Sequence, residues 1–496
     1  MVKKFVILPG YLVVILFFIS CGRNAGGSGG RNRAPEGRAD ATEDNAAATG
    51  DHVASAENTM SQPAQGPVSY SVYIENSESM DGYVSRQGSD FNNTVHRLLT
   101  DLRTREIADT INLNYVNDNI CPYRHFAQTS DVADFMNTLT PDGLRHTGCA
   151  RGNSFMHKII HRVISVNPSD VDILISDYIF STGHGPSVDL LNQQRDNVKG
   201  ALYDELRQRD FSTIIVKFNS GFDGKYFIES RGGGNNSAVN ITGKGIRRPY
   251  YMMIFGHQAK MRKLIAFIKS GGLSAYDGYE EIYSIFQRSR RHPAAKLIRT
   301  NRRGDFRIEE PATRLVVDNA KEDDSATFQC AVAMDLDSLP LDEKYLMDKA
   351  NYQLPANYQL VKIEKNDDPE NTSLHGFTHI FIIRTSDLKT SQDVYIRLKS
   401  REPHWVEAST ILYDDDPANP EQQKKTFGFQ YLVDGIKNSY EDKYPNMDLF
   451  EVNAHISKNE KGVDTAGTGG HSSLPWIILI GAGVLVAVII GIKNKR

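Results

Sequence analysis

Short apolar segments alternate with amphipathic segments between residues 68 and 272, and this alternation limits the fold more than any other feature of the chain. Apolar runs of this length suit strands, and the amphipathic segments repeat apolar residues at helical spacing. Strands that alternate with helices favour an α/β doubly wound, mainly parallel sheet. The strand segments are VSYSVYIE (68–75), INLNYV (111–116), VDILISDY (171–178), FSTIIVKFN (211–219) and PYYMMIFG (249–256); the helical segments are FNNTVHRLLTDLRT (91–104), SFMHKIIHRVI (154–164), residues 188–208 and HQAKMRKLIAFIKS (257–270).

The helical period fades after residue 272, and residues 273–455 read as a mostly β, sandwich-like domain with a terminal helix. Apolar residues alternate along two segments, which is the pattern of half-buried antiparallel strands. The helix is expected at Thr426–Tyr440, and core packing explains its apolar face better than partner recognition does. The alternating residues are Phe328, Cys330, Val332, Met334 and Leu336 in the first segment and Val394, Ile396 and Leu398 in the second.

The N-terminus has the layout of a secretory signal over residues 1–20. Lys3 and Lys4 precede the apolar run FVILPGYLVVILFFIS, and Cys21 follows it. The Ser20–Cys21 junction resembles a bacterial lipoprotein processing site, which implies lipidation of Cys21. An uncleaved signal anchor is the alternative. Residues 21–67 contain no aromatic residue and are expected to form a lipid-anchored flexible tether.

The C-terminal run LPWIILIGAGVLVAVIIGI, residues 474–492, has no charged residue. As a helix it covers roughly 28 Å, close to the hydrocarbon thickness of a bilayer, so we expect a transmembrane helix after a linker at residues 456–473. Lys493, Lys495 and Arg496 follow, which predicts a cytoplasmic tail at residues 493–496. The expected location is the bacterial inner membrane, with the bulk of the chain on the periplasmic side. An exported chain with a formal net charge of -4 gives no reason to expect a nucleic-acid partner.

The segment VYIENSESMDGY, residues 72–83, passes from an apolar strand to a cluster of oxygen-bearing side chains. Glu75, Ser77 and Ser79 follow the first strand, Ser154 precedes a helix, and Asp177 follows the strand VDILIS. Because α/β sheets bind ligands beyond the carboxyl ends of their strands, these residues are candidate ligands of a divalent cation. The alternative is a solvated turn, in which the same residue types act as turn and cap groups.

The arrangement resembles the von Willebrand factor A domain and its metal-ion-dependent adhesion site. The pentapeptide ENSES has the spacing of the Asp-x-Ser-x-Ser motif of that family, Ser154 matches the Thr position, and Asp177 matches the last Asp. The chain departs from the pattern because Glu75 replaces Asp and Ser154 replaces Thr. The resemblance implies bound Mg²⁺, with Mn²⁺ or Ca²⁺ as alternatives, and adhesion or assembly with a protein partner in the cell envelope.

Enzyme motifs give weaker signals. In HKIIH the residue after the first His is Lys158, where a metalloprotease needs Glu, and ITGKGI lacks the spacing of a phosphate-binding loop. DDD at residues 414–416 is most simply a loop, and a calcium site is the alternative. The sequence therefore favours an envelope-anchored protein-binding module over an enzyme, and the alternative is an envelope hydrolase with its active site at the same end of the sheet.

Cys121 and Cys149 both fall in loops at the expected ligand end of the sheet. In a compartment that oxidises thiols they are candidates for a disulfide, with Cys330 left as a buried thiol. Three buried free thiols are the alternative, because sequence spacing does not establish proximity.

Overall fold

The computed structural model describes residues 66–458, except 127–128, 166–169, 182–187, 210–211, 234, 287–292, 310–313, 338, 367–371 and 446–447. The described residues fall within one compact unit. Several predicted features lie outside them: the signal at 1–20, Cys21, most of the tether, the linker after residue 458, the membrane span at 474–492 and the tail at 493–496. Within the described part of the chain, each helix is too short or too polar to cross a membrane.

The first sheet has seven strands with helices on its faces, so the α/β architecture expected for this region is present. Two further short strands, β6 (Lys225–Phe227) and β7 (Ala238–Asn240), form a separate hairpin. The order across the large sheet is β3-β2-β1-β4-β8-β5-β9, with β1 (Ser69–Glu75), β2 (Thr110–Val116), β3 (Ile120–Phe126), β4 (Val171–Ser176), β5 (Ser212–Gly221), β8 (Arg247–Gly256) and β9 (Tyr279–Ile285).

This sheet is mixed, not mainly parallel. Only the pairs β1–β2 and β1–β4 are parallel, whereas β2–β3, β4–β8, β5–β8 and β5–β9 are antiparallel. The reason is the connection from β5 to β8, which contains a short hairpin and 3₁₀ turns in place of a crossover helix. Parallel neighbours need such a crossover, so β8 returns antiparallel and enters between β4 and β5.

Helices cover the sheet with apolar faces. In the fifth helix, for example, Ile159, Ile160, Val163 and Ile164 are buried at helical spacing. Every residue of β4 is buried, as expected for a central strand covered on both faces. The helices of this layer are α1 (Asp81–Val84), α2 (Asp90–Thr104), α3 (Thr129–Thr138), α4 (Pro141–Arg145), α5 (Met156–Ser165), α6 (Val188–Gln208) and α7 (Arg262–Lys269).

Two further sheets enclose a second apolar core. The alternating residues predicted for β13 and β17 (Phe328, Cys330, Val332, Met334, Val394, Ile396 and Leu398) lie in this core. Its first sheet has the order β10-β13-β16-β15, with β10 (Ala295–Arg303), β13 (Phe328–Met334), β15 (Gln359–Lys365) and β16 (His379–Thr385). Its second has the order β11-β12-β20-β17-β14, with β11 (Asp305–Ile308), β12 (Leu315–Lys321), β14 (Tyr352–Gln353), β17 (Ser391–Lys399) and β20 (Asp448–Lys458).

The chain leaves this sandwich between β17 and β20 and packs on the α/β layer. We call residues 400–445 the inserted segment. Its last helix packs along α6, and Phe429, Leu432, Val433 and Ile436 are buried in the core of the large sheet. The segment contains α9 (His404–Ala408), β18 (Thr410–Ile411), α10 (Pro420–Gln423), β19 (Thr426–Phe427) and α11 (Phe429–Lys443), and the remaining helix, α8 (Glu343–Met347), belongs to the sandwich.

The two layers are therefore not divided at residue 272. Strand β9 joins the large sheet, and the inserted segment, which follows β17 of the sandwich, packs in the core of the large sheet as well. Strand β20 also continues through residues 456–458, where the sequence predicts a linker. Apolar periodicity identifies strands and helices, but it does not identify the core on which each one packs.

Cys121 and Cys149 are joined by a disulfide, with Cα atoms 5.8 Å apart, and Cys330 is a buried free thiol. Burial raises the pKa of Cys330 to about 12, which keeps this thiol protonated. Alkylation of the denatured chain without reductant should therefore label Cys330 and leave Cys121 and Cys149 unlabelled, whereas prior reduction should expose all three. Intact-mass measurement checks this result, and three labels without reductant would exclude the disulfide.

Candidate functional site

The carboxyl ends of β1 and β4 bring two acidic residues to one edge of the sheet. Glu75 is the last residue of β1, and Asp177 comes directly after β4. The two strands are parallel neighbours in register at Ile74 and Ile175, so their ends lie side by side. Glu75 is fully buried and Asp177 is 3% exposed. Two carboxyl groups thus share a site from which bulk water is largely excluded.

Three side chains donate hydrogen bonds to Glu75. Ser77 Oγ donates to Oε2 at 2.8 Å, Ser154 Oγ donates to Oε1 at 2.5 Å, and Asn117 Nδ2 donates to Oε1 at 3.3 Å. A hydroxyl that gives its hydrogen to a carboxylate keeps its lone pairs available for another partner. Glu75 therefore orients the hydroxyls of Ser77 and Ser154 as acceptors.

A chain of contacts connects the two carboxyl groups through two serines. Ser77 Oγ contacts Glu75 at 2.8 Å and Ser79 Oγ at 2.7 Å, and Ser79 forms a hydrogen bond with Asp177. Each of these three contacts needs a hydrogen, yet the two serine hydroxyls supply only two. The complete chain of contacts therefore requires one carboxyl group to be protonated.

Electrostatics favour Glu75 as the protonated group when no cation is bound; Glu75 Oε2 then donates to Ser77 Oγ, the reverse of the bond that the ionised carboxylate accepts. Burial, followed by the charge of Asp177, raises the pKa of Glu75 well above its ordinary value. Burial also raises the pKa of Asp177, but hydrogen bonds from Ser79 and from the Ile179 backbone, together with the charge of Arg248, counteract it. Two buried carboxylates repel each other, so the ionised pair needs a positive charge close by.

A sharp turn follows Asp177. Tyr178 has φ 52°, a left-handed conformation that costs a bulky residue on the order of 1 kcal/mol. The turn is held by Tyr178 N, which donates to Ser176 Oγ at 2.9 Å, and by Ile179 N, which donates to Asp177 Oδ1 at 3.2 Å. It fixes the Asp177 carboxylate and turns Ile179 towards the same region.

These groups form one side of an open pocket of about 130 Å³, which has room for on the order of ten water molecules. Four of the five residues predicted to bind a cation line the pocket, and Glu75 lies directly behind them, bonded to Ser77 and Ser154. The lining residues are Ser77, Glu78, Ser79, Arg151, Gly152, Asn153, Ser154, Asp177, Ile179, Ser181, Phe227 and Glu229.

Two arginines lie beside the site. Arg151 donates to Ser77 O at 3.0 Å and to Asp81 Oδ1 at 2.6 Å, which ties the loop before Ser154 to the turn after β1. Arg248 is buried, its guanidinium lies 4.0 Å from the centre of the Tyr226 ring, and its charge acts on Asp177. Arg151 and Arg248 each have acidic neighbours, which already neutralise part of their positive charge.

Sequence reasoning missed Asn117, Arg151, Arg248 and Asp414 as parts of this site. Asn117 directly follows β2, so the rule that selected Glu75 and Asp177 applies to it as well. Its Nδ2 also donates to Gly152 O at 3.3 Å, which joins the loop before Ser154 to the sheet edge. Asp414 lies in a loop, as expected, but it is 2% exposed and contacts residues next to the pocket. No local motif predicts a contact such as that between Asp414 and Glu229, which are 185 residues apart in the sequence.

The donor set fits a hard divalent cation, because it contains only carboxyl and hydroxyl oxygens. Ser77, Ser79 and Ser154 would supply hydroxyl oxygens, and Glu75 and Asp177 would supply negative charge. A group of three or more His, Cys, Asp or Glu side chains with the geometry of a metal site does not occur among the described residues. Any cation at this site would therefore depend on serine hydroxyls and on water for most of its ligands.

Comparison of the chain with family models, with curated proteins and with solved structures found no match.

Proposed function

We propose that this protein is an envelope-anchored protein-binding module that uses a divalent-cation site at the edge of its large sheet in adhesion or assembly. The observation that carries the proposal is the pair of buried carboxyl groups, Glu75 and Asp177, connected by Ser77 and Ser79 at the side of an open pocket. A bound Mg²⁺ would supply a coordination position for a carboxylate of the partner.

Charge balance supports a cation at this position. With both carboxyl groups ionised, Glu75 and Asp177 place two negative charges in a region of low dielectric. Arg248 offsets part of this charge, but it also acts on Asp414 and on two tyrosines. A divalent cation between the carboxylates would remove the remaining repulsion, and the oriented hydroxyls of Ser77 and Ser154 would contribute ligands.

The lining of the pocket favours binding over covalent catalysis. Ser77, Ser79 and Ser154 each contact a carboxyl group or another serine. A nucleophilic serine needs an adjacent base of suitable pKa, for which His and Lys are the usual choices. The serine hydroxyls are thus arranged as acceptors for a cation.

The second candidate is a hydrolase that uses Glu75 and Asp177 as acid and base. Two carboxyl groups whose surroundings give them different pKa values are a known arrangement for such chemistry. Burial and the charge of Asp177 raise the pKa of Glu75, which suits a general acid; because Glu75 lies behind the pocket lining, its proton would reach a substrate through Ser77 Oγ. This candidate predicts substrate turnover that persists when divalent cations are chelated.

Crosslinking of the full chain in intact membranes separates the two functions. The binding module should give discrete crosslinked products in Mg²⁺, lose them in EDTA and recover them when Mn²⁺ is added, because Mn²⁺ accepts the same oxygen ligands. Products of equal yield in EDTA would contradict the cation-dependent module. Hydrolysis of an envelope polymer in EDTA, lost on Glu75→Gln, would instead establish the hydrolase.

A further inference from the structure

Two of the residues that line the pocket are apolar, and we call this pair the apolar wall. They are Ile179 and Phe227, which belong to two separate segments of the chain. Ile179 follows the left-handed residue after β4, whereas Phe227 ends β6. An apolar side chain of a larger ligand would be removed from water by contact with these two residues, whereas a hydrated cation would gain nothing from them.

The turn that carries Phe227 is held by Asp414 of the inserted segment. Tyr226 OH donates to Asp414 Oδ2 at 2.7 Å, Glu229 N donates to Oδ2 at 3.0 Å, and Ser230 N donates to Oδ1 at 2.8 Å. Asp414 is buried, and hydrogen bonds from backbone N–H groups to a buried carboxylate are among the stronger ones in proteins. The position of Phe227 therefore depends on a residue 187 positions later in the chain, since its neighbour Tyr226 makes this contact across a separation of 188 residues.

The turn that carries Ile179 is held by the same inserted segment. Phe180 N donates to Phe427 O at 3.0 Å, and Arg248, beside Asp177, donates to Lys425 O at 3.1 Å. Gly428, with φ 67°, lies so close to Phe180 that an added Cβ would be 2.8 Å from the Phe180 Cβ. Both halves of the apolar wall thus rest on residues 414–428.

We infer that the pocket binds a protein segment in which a carboxylate side chain is flanked by an apolar side chain, and that Asp414 is the positioning residue for the apolar part. This inference rests on the proposed function, because the carboxylate is placed on the cation. The apolar neighbour packs against Ile179 and Phe227, where removal from water stabilises the complex. Glu78 and Glu229 also line the pocket and disfavour a second acidic side chain in the same segment.

Two short peptides test the inference with the full chain in detergent and saturating Mn²⁺. Ac-Leu-Asp-Leu-NH₂ should bind at least about tenfold more tightly than Ac-Gly-Asp-Gly-NH₂, as expected when one apolar side chain is buried. Asp414→Asn should reduce this preference to about twofold or less in the same saturating Mn²⁺, because the amide supports the turn less well than the carboxylate. Calorimetry measures both affinities in one series.

Asp415→Asn is the matched control, because Asp415 is the exposed neighbour of Asp414 and the change in charge is the same. It should keep the wild-type preference. If Asp414→Asn does not fold, Tyr226→Phe removes only the 2.7 Å contact and should lower the preference partially. Equal binding of the two peptides to a chain that binds Mn²⁺, or equal loss of preference in both aspartate variants, would overturn the inference and leave the proposed function standing. Absence of Mn²⁺ binding would overturn both.

Discussion

Asp177→Asn is expected to lower the affinity for Mg²⁺ and Mn²⁺ by at least about 100-fold, because even indirect partners of a metal site contribute 10- to 100-fold. The substitution keeps the size of the side chain and an oxygen that accepts the hydrogen bond from Ile179 N, so the turn after β4 should persist. It removes one of the two buried negative charges that attract the cation. Calorimetric titration of wild type and variant measures the loss.

Thermal melts of the same proteins distinguish a lost site from a damaged fold. Wild type should melt at a higher temperature in Mg²⁺ than in EDTA, because a ligand that binds only the folded state stabilises it. Asp177→Asn should melt within a few degrees of wild type in EDTA. The buried Arg248 loses the negative charge of Asp177 in this variant, but the carboxylate of Asp414 still balances it. The variant should show no shift with Mg²⁺.

Asp172→Asn is the matched control, because Asp172 is also buried and lies on the same strand, away from the pocket. It should retain the response of the melting temperature to Mg²⁺. A variant at position 177 that binds Mg²⁺ as well as wild type would contradict the assignment of this carboxylate to the cation site.

Phe429→Ala is expected to destabilise the α/β layer by about 3–5 kcal/mol, the usual cost of truncating a buried phenylalanine. The Phe429 ring is fully buried and stacks on Tyr251 of β8 with 4.0 Å between ring centroids. Its loss removes the contact between the start of α11 and the centre of the large sheet. Hydrogen exchange of peptides from β4 and β8 should report the loss as reduced protection.

The control on the same helix is Glu441→Ala, whose side chain is exposed and pairs only with Lys437 among the described residues, at 3.6 Å. Its effect should stay within about 0.5 kcal/mol, as for other surface substitutions. If Phe429→Ala instead reduced protection in β13 and β17 and spared β4 and β8, α11 would belong to the sandwich and the packing described for the inserted segment would be wrong.

The sequence predicts the elements of this fold better than their arrangement. Alternation of apolar residues identifies β13 and β17, and the apolar run of β8 is recognisable as a strand. Neither pattern specifies whether a strand runs parallel or antiparallel to its neighbours. The absence of a helical period between residues 221 and 247 was the available signal that β8 would run antiparallel to β5, because a parallel neighbour needs a crossover helix.

The sequence predicts those residues of the candidate site that directly follow a strand. Glu75 and Asp177 follow neighbouring parallel strands, so their proximity is a consequence of sheet topology. Ser154 lies in the loop before α5 and reaches the site through its hydrogen bond to Glu75. Asp414 could not be predicted, because its contacts to residues 226–230 depend on how the inserted segment packs, which no local pattern specifies.

The most direct test of the cation site is the number of Mn²⁺ ions bound by the full-length chain. Mn²⁺ takes the same oxygen ligands as Mg²⁺ and is counted by electron paramagnetic resonance, because bound and free ions give different signals. Titration of the metal-free protein should give one bound Mn²⁺ per chain, displaced by excess Mg²⁺ and absent from Asp177→Asn. A wild-type chain that binds no Mn²⁺, or binds it equally well without the Asp177 carboxylate, would contradict a divalent-cation site between Glu75 and Asp177.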